Sequence, residues 1–181
     1  MIMKIVFLDI DGVLNHVSTK ERFQFYNGID EENLQDFAEL MRLSSAEEET
    51  QIVLSSSWRE DKGHDGEILD NGYQYICDRL ASVGLLLFDI TPILNHVSGY
   101  PHRGEEIAAW LSDHQNLGIT GYVVLDDEHE TEFKEYGLTK RFVKTSWESA
   151  RGGFRKKHIK KAMEMLKLPY WEPRKEAKHK E

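Results

Sequence analysis

One cysteine in 181 residues, Cys77, rules out a disulfide framework and a thiolate metal cluster. It falls in the spacing Tyr73, Ile76, Cys77, Leu80, the apolar side of an expected helix, so it reads as a packed thiol and not a nucleophile. No apolar run is long enough to cross a bilayer. The amino terminus starts apolar but is broken by Lys4, Asp9 and Asp11, which excludes a signal peptide and sets the expectation of an intracellular, cytoplasmic protein. The string G-x-x-x-x-G-K-[ST] is missing, which excludes ATP hydrolysis of the P-loop type. A calcium EF-hand is excluded too, because Gly12 follows the second Asp directly and a strand pattern precedes it.

Basic charge is scarce as well, with a net charge of −9, but what there is lies at one end. Residues 134–181 carry a net +9, whereas residues 1–133 carry −18. That asymmetry fits an anionic partner at the basic end, or simply a solvated Lys-rich helix and tail.

What is present is a regular alternation of apolar runs and helical spacings. Strands are expected at 4–8, 51–55, 85–90, 121–125 and 141–144. Between them, Leu34, Phe37, Ala38 and Met41 mark a helix capped by Asp30 and stapled by Ile29. Further helices are expected over Tyr73–Val83, Glu105–Leu111 and Arg155–Lys167. Strands without polar alternation, separated by helices, predict an α/β fold with a parallel sheet covered on both faces. Segments 15–28 and 60–72 read as loops, and residues 168–181 as a charged, poorly packed tail behind a domain spanning 1–167. The string LNHVS occurs at 14–18 and again at 94–98, but nothing flanking it supports a duplication.

Ligands in such sheets bind beyond the carboxyl ends of the strands. The first strand runs into Asp9-Ile10-Asp11-Gly12, the second into Ser55-Ser56-Ser57-Trp58-Arg59, the fourth into Asp126-Asp127. Arg103 stands at the start of the helix that feeds the fourth strand. Carboxylates, hydroxyls and a guanidinium at one sheet edge would suit a hard cation and an anionic oxygen group. Carboxylates without His or Cys favour Mg²⁺. Taken singly, each motif has a plainer explanation: a turn for the D-x-D, a helix cap for Asp126-Asp127, a turn for the serines, a surface residue for Arg103. Their recurrence at strand ends favours a site. His16, His96 and His129 read as loop or surface residues, Trp110 as core, Trp58 as packing beneath the site, and Trp147 and Trp171 as anchors near basic stretches.

These motifs, in the wording FLDIDGVLN, SSSWR, RGEEIAAWL and VVLDDE, resemble the haloacid dehalogenase (HAD) superfamily of phosphohydrolases. The nearest resemblance is to the HAD domain of Swiss army knife RNA-repair proteins. It implies a Rossmann-like parallel sheet flanked by helices, and a phosphatase working through an aspartyl-phosphate. It implies Asp9 as nucleophile, Asp11 as general acid and base, and Mg²⁺ held by Asp9, the Asp11 carbonyl and Asp126. Asp127 is the alternative ligand. Ser55, the Ser56 backbone, Gly12 and Arg103 are then expected around the phosphate, with Arg59 as the rival cation. Family members acting on small metabolites usually carry a large cap, and neither 13–50 nor 60–102 has room for one. Minimal or no cap, with the basic run Arg151–Lys161, favours phosphorylated polynucleotide ends, RNA or DNA. The alternatives are a small-molecule or nucleotide phosphatase, or a non-catalytic nucleic-acid-binding module.

Overall fold

The computed structural model describes residues 2–63, 65–94 and 102–174. His96 and most of the second LNHVS string therefore lie outside the described residues, as do 175–181. Five parallel strands form the central sheet: β1 (Met3–Leu8), β4 (Thr50–Leu54), β5 (Leu87–Ile90), β6 (Ile119–Asp126) and β7 (Phe142–Lys144). They lie in the order β5-β4-β1-β6-β7. Helices α1 (Glu31–Glu47), α2 (Gly72–Ala81), α3 (Arg103–Asp113), α4 (Glu130–Glu135) and α5 (Lys156–Leu166) connect or flank them.

The unbroken apolar strands have two cores to serve. Successive side chains of a strand point to opposite faces. Val6, Leu8, Ile52, Leu54, Val123 and Leu125 join one core, with Leu34 and Phe37 of α1, Ile76 of α2 and Leu166 of α5. Ile5, Phe7, Val53, Tyr122 and Val124 join the other, with Ile107 and Trp110 of α3 and Phe133 of α4. Trp110 is core, as expected, and meets Phe7 edge-on at 5.4 Å. Truncating any of these to Ala should cost about 2–5 kcal/mol.

Asp30 caps α1 as the sequence predicts, accepting from the Glu32 and Asn33 amides at 3.1 and 3.2 Å. The helix N-termini of α1 and α5 sit at the same end of the sheet as the carboxyl ends of the strands. The Asp30 and Phe154 amides donate to the carbonyls of Leu14 and Val13, in the turn that follows β1.

Several expectations need correction. Segment 15–28 is not all loop: β2 (Arg22–Phe23) and β3 (Tyr26–Asn27) pair as an antiparallel hairpin. Helix α4 was not expected. Strand β5 starts at Leu87, because the Leu85 amide turns back to the Leu80 carbonyl and closes α2. His16 is buried, with Nε2 3.5 Å from Asp30 Oδ2. The segment after α5 is packed as far as residue 174: Arg141 donates to the carbonyls of Met165, Leu168 and Pro169. The Tyr122 hydroxyl donates to the Trp171 carbonyl, although the Trp171 ring stays exposed. Among the described residues no helix is long and apolar enough to cross a membrane.

Candidate active site

The sheet order places its switch point between β1 and β6: the chain builds outward from β1 to β4 and β5, then returns to the other side for β6 and β7. Amide-to-carbonyl bonds align the residues at the strand ends into one row. Thr91 donates to Leu54, Ser55 to Leu8, Asp9 to Leu125, and Thr145 to Asp126. Thr91, Ser55, Asp9, Asp126 and Thr145 thus stand side by side along the carboxyl edge.

Across the switch point, Asp9, Asp126 and Asp127 each bring a carboxylate oxygen within 4.8 Å of the others. Asp9 Oδ1 accepts from the Ile10 amide at 2.8 Å, and Asp126 Oδ1 from the Glu128 amide at 2.8 Å, which fixes both carboxylates. Such crowding is unfavourable without a cation. Burial first, and Asp9 next, push Asp126 up to about 7. Burial, Asp9, Asp126 and Glu128 push Asp127 up to about 8. Burial pulls His129 down, but Glu132, Asp126 and Asp9 outweigh it and its pKa rises. The donor set is all carboxylate oxygen, the chemistry of a hard divalent cation.

Asp11 does not join the trio with its side chain. Its Oδ1 accepts from Asn15 Nδ2 at 2.9 Å and its Oδ2 from Trp58 Nε1 at 2.8 Å. Trp58 therefore packs beneath the site, as expected, and also grips the acid. Gly12 has a different reason from the one the motif implied. Its amide donates to Asn15 Oδ1 at 3.0 Å, so it is not aimed at a phosphate. Glycine is required because φ is +72° and a Cβ there would lie 2.2 Å from Asp127 Cγ.

The hydroxyls of Ser55 and Ser56 are buried and have no hydrogen-bond partner among the described residues. Orphaned buried donors call for an explanation, and a ligand oxygen supplies one. The two arginines separate cleanly. Arg59 is consumed by the protein: Nε donates to Thr91, Nη1 to Ser56 and Nη2 to Pro92, all carbonyls, and Nη2 lies 2.8 Å from Glu106 Oε1. Arg103, equally buried, is held among the described residues by Nη1, 3.2 Å from Glu106 Oε2, and its Nε has no partner among them. Arg103 is the cation with donors to spare. Its positive charge also acts on Asp126.

Strand-end position does not point to Glu106, the brace between the two guanidiniums. The Arg103–Glu106 spacing of three on a helix was the readable signal. Trp58 and Asp11 stand too far apart in sequence for any such cue, whereas Asn15 lies one helical turn beyond Asp11.

A comparison with protein-family models matches residues 5–159 to the family described as the HAD domain in Swiss Army Knife RNA repair proteins. No curated protein and no solved structure matches the chain.

Proposed function

The chain belongs to the family of HAD domains found in Swiss Army Knife RNA repair proteins, and from that premise we propose that it is a Mg²⁺-dependent phosphatase of phosphorylated polynucleotide ends. The observation that carries this reading is the meeting of the Asp9, Asp126 and Asp127 carboxylates at the switch point, in the row that also holds the unpartnered Ser55 hydroxyl. Asp9, Asp126 or Asp127, and the Asp11 carbonyl would hold the ion. When bound, Mg²⁺ neutralises the acids and the phosphoryl charge.

The protein's own groups carry the steps. An Asp9 carboxylate oxygen attacks phosphorus, an Asp9–phosphate bond forms, and the bond to the leaving oxygen breaks as Asp11 protonates it. Asp11 then takes a proton from water, whose oxygen attacks the same phosphorus. Inorganic phosphate leaves and the Asp9 carboxylate is restored. Trp58 and Asn15 hold the Asp11 carboxylate in place for this exchange. The Ser55 hydroxyl and the spare donors of Arg103 bind the phosphoryl oxygens.

A polynucleotide end is favoured over a small metabolite because the cover is slight among the described residues. Between β1 and α1 the sole regular structure is the four paired residues of the hairpin. Exposed Arg151, Lys156 and Lys157 lie where α5 begins, at the same sheet end as the acids. The test is a phosphatase screen with and without Mg²⁺, over end-phosphorylated RNA and DNA, mononucleotides and para-nitrophenyl phosphate. Turnover should need Mg²⁺, favour oligonucleotide ends and vanish in a folded Asp9→Asn variant. Faster hydrolysis of small esters would overturn the substrate, and an active Asp9→Asn the mechanism.

A further inference from the structure

We propose that the β2–β3 hairpin and the loop after Glu60 form a seat for the terminal nucleobase of the substrate, with Phe25 stacking on it; this rests on the phosphatase reading above. Phe25 stands at the hairpin tip, 65 % exposed, a large aromatic surface turned mostly to solvent. The tip is held rigidly. Gln24 Nε2 donates to the Asp70 carbonyl at 2.8 Å, and the Asp70 amide returns a bond to Gln24 Oε1 at 3.4 Å. Next to it, the Tyr26 hydroxyl donates to Asp65. The Tyr26 ring lies so close to Gly63 that a Cβ there would be 2.3 Å from Cζ. At the base, Phe23 stacks on Tyr75 with centroids 4.3 Å apart. A ring presented this firmly loses little freedom on binding a second ring.

The seat is tied to the site through packed rings. Phe25 lies 4.9 Å from Tyr26, Tyr26 lies 6.4 Å from Trp58, and Trp58 Nε1 donates to Asp11 at 2.8 Å. A packed chain of rings, with Trp58 and Tyr26 buried and Phe25 exposed, therefore links the acid that serves the leaving group to the hairpin tip. Charge decides what occupies it. Residues 60–70 carry five acids, Glu60, Asp61, Asp65, Glu67 and Asp70, against one lysine, Lys62. A phosphodiester chain is repelled there, whereas a neutral base offers a π-face to Phe25 and amino edges to the carboxylates. The strand must then leave on the other side, toward Arg151, Lys156 and Lys157. A seat that takes a base but refuses the next phosphate makes the enzyme specific for ends.

Two end-phosphorylated oligonucleotides test this, identical except that one has an abasic terminal sugar. The wild type should favour the base-bearing one by about tenfold or more in kcat/KM, the range expected for one stacked base. Phe25→Ala should bring that ratio close to one, and Phe25→Trp should keep it. Anisotropy binding of both oligonucleotides to the Asp9→Asn protein gives the same comparison without turnover. A wild-type ratio near one in rate and binding, or a ratio unmoved by Phe25→Ala, would overturn the seat. Base-dependent binding without turnover on any substrate would overturn the phosphatase reading and leave the seat standing.

Discussion

Gly12 shows how one position can couple backbone strain to chemistry. With φ at +72° and Asp127 pressed where a side chain would begin, Gly12→Ala forces two adjustments at once. A left-handed Ala costs about 1 kcal/mol, and clearing Asp127 adds to it. The midpoint of thermal unfolding should fall by a few degrees, at about 2–4 °C per kcal/mol for a chain of this size. The larger effect should be on the ion, because Asp127 is displaced from Asp9 and Asp126: activity should drop more than tenfold, with the half-saturating Mg²⁺ concentration rising. Mg²⁺ titrations of activity and calorimetry separate the two. A lower midpoint with an unchanged Mg²⁺ requirement would remove Asp127 from the site. Asp9, Ser55 and Asp126 could be read from the sequence because each closes or directly follows an apolar strand, so strand position alone predicts where it stands. Trp58 on Asp11 could not, because the two lie 47 residues apart and only the packed sheet brings them together.

Among the elements, legibility follows length and turn chemistry. Strands β1, β4 and β6 and helix α1 carry enough buried periodicity to be found, whereas α4 has six residues, too few for a helical repeat to register. The hairpin was missed because its turn uses Gln24 at φ 55° in place of the Gly or Asn that signals such a conformation. Helix α5 is the element most at odds with its own charge. Its N-terminal cap is Arg155 and its first turn holds Lys156 and Lys157, the wrong sign for the positive end of a helix dipole. Neighbours compensate. Asp36 of α1 accepts from the Lys156 amide at 3.1 Å, and His158 Nδ1 accepts from the Arg155 amide at 2.9 Å. That second bond needs a neutral imidazole. Burial first, then Lys157, Lys161 and Arg155, lower the His158 pKa to about 4. A histidine depressed in the fold binds fewer protons than in the unfolded chain between its two pKa values. Its contribution is thus complete above about 6.5, the unfolded value, and is lost as pH falls toward 4. Denaturation midpoints of wild type and His158→Gln should diverge least near pH 4 and most above pH 7. Parallel pH profiles would show that the imidazole does not titrate in this way.

At the scale of the whole molecule the division of charge is the governing fact, since a chain of net −9 binds a polyanion only where its positive residues are gathered. The fold gathers them on α5 and the turn before it, but not all are available. Arg155 is taken by Glu32 at 2.5 Å and lies 3.7 Å from Asp36. Lys160 reaches Glu164 at 4.0 Å. Arg151, Lys156, Lys157 and Lys161 are exposed and have no acidic partner among the described residues. If these four neutralise strand phosphates, binding of a single-stranded oligonucleotide to the Asp9→Asn protein should fall with salt at a log–log slope of about −3, near −0.7 per contact. The Lys156→Ala, Lys157→Ala, Lys161→Ala triple variant should flatten that slope by about 2 and weaken binding most at low salt. Its unfolding midpoint should not fall, because these ammonium groups face solvent and two of them oppose the dipole of α5. The preference for a terminal base over an abasic sugar should survive in it if that preference belongs to Phe25 at the hairpin tip. A slope unchanged by the triple variant would place the strand elsewhere, and with it the direction in which the polymer leaves the site.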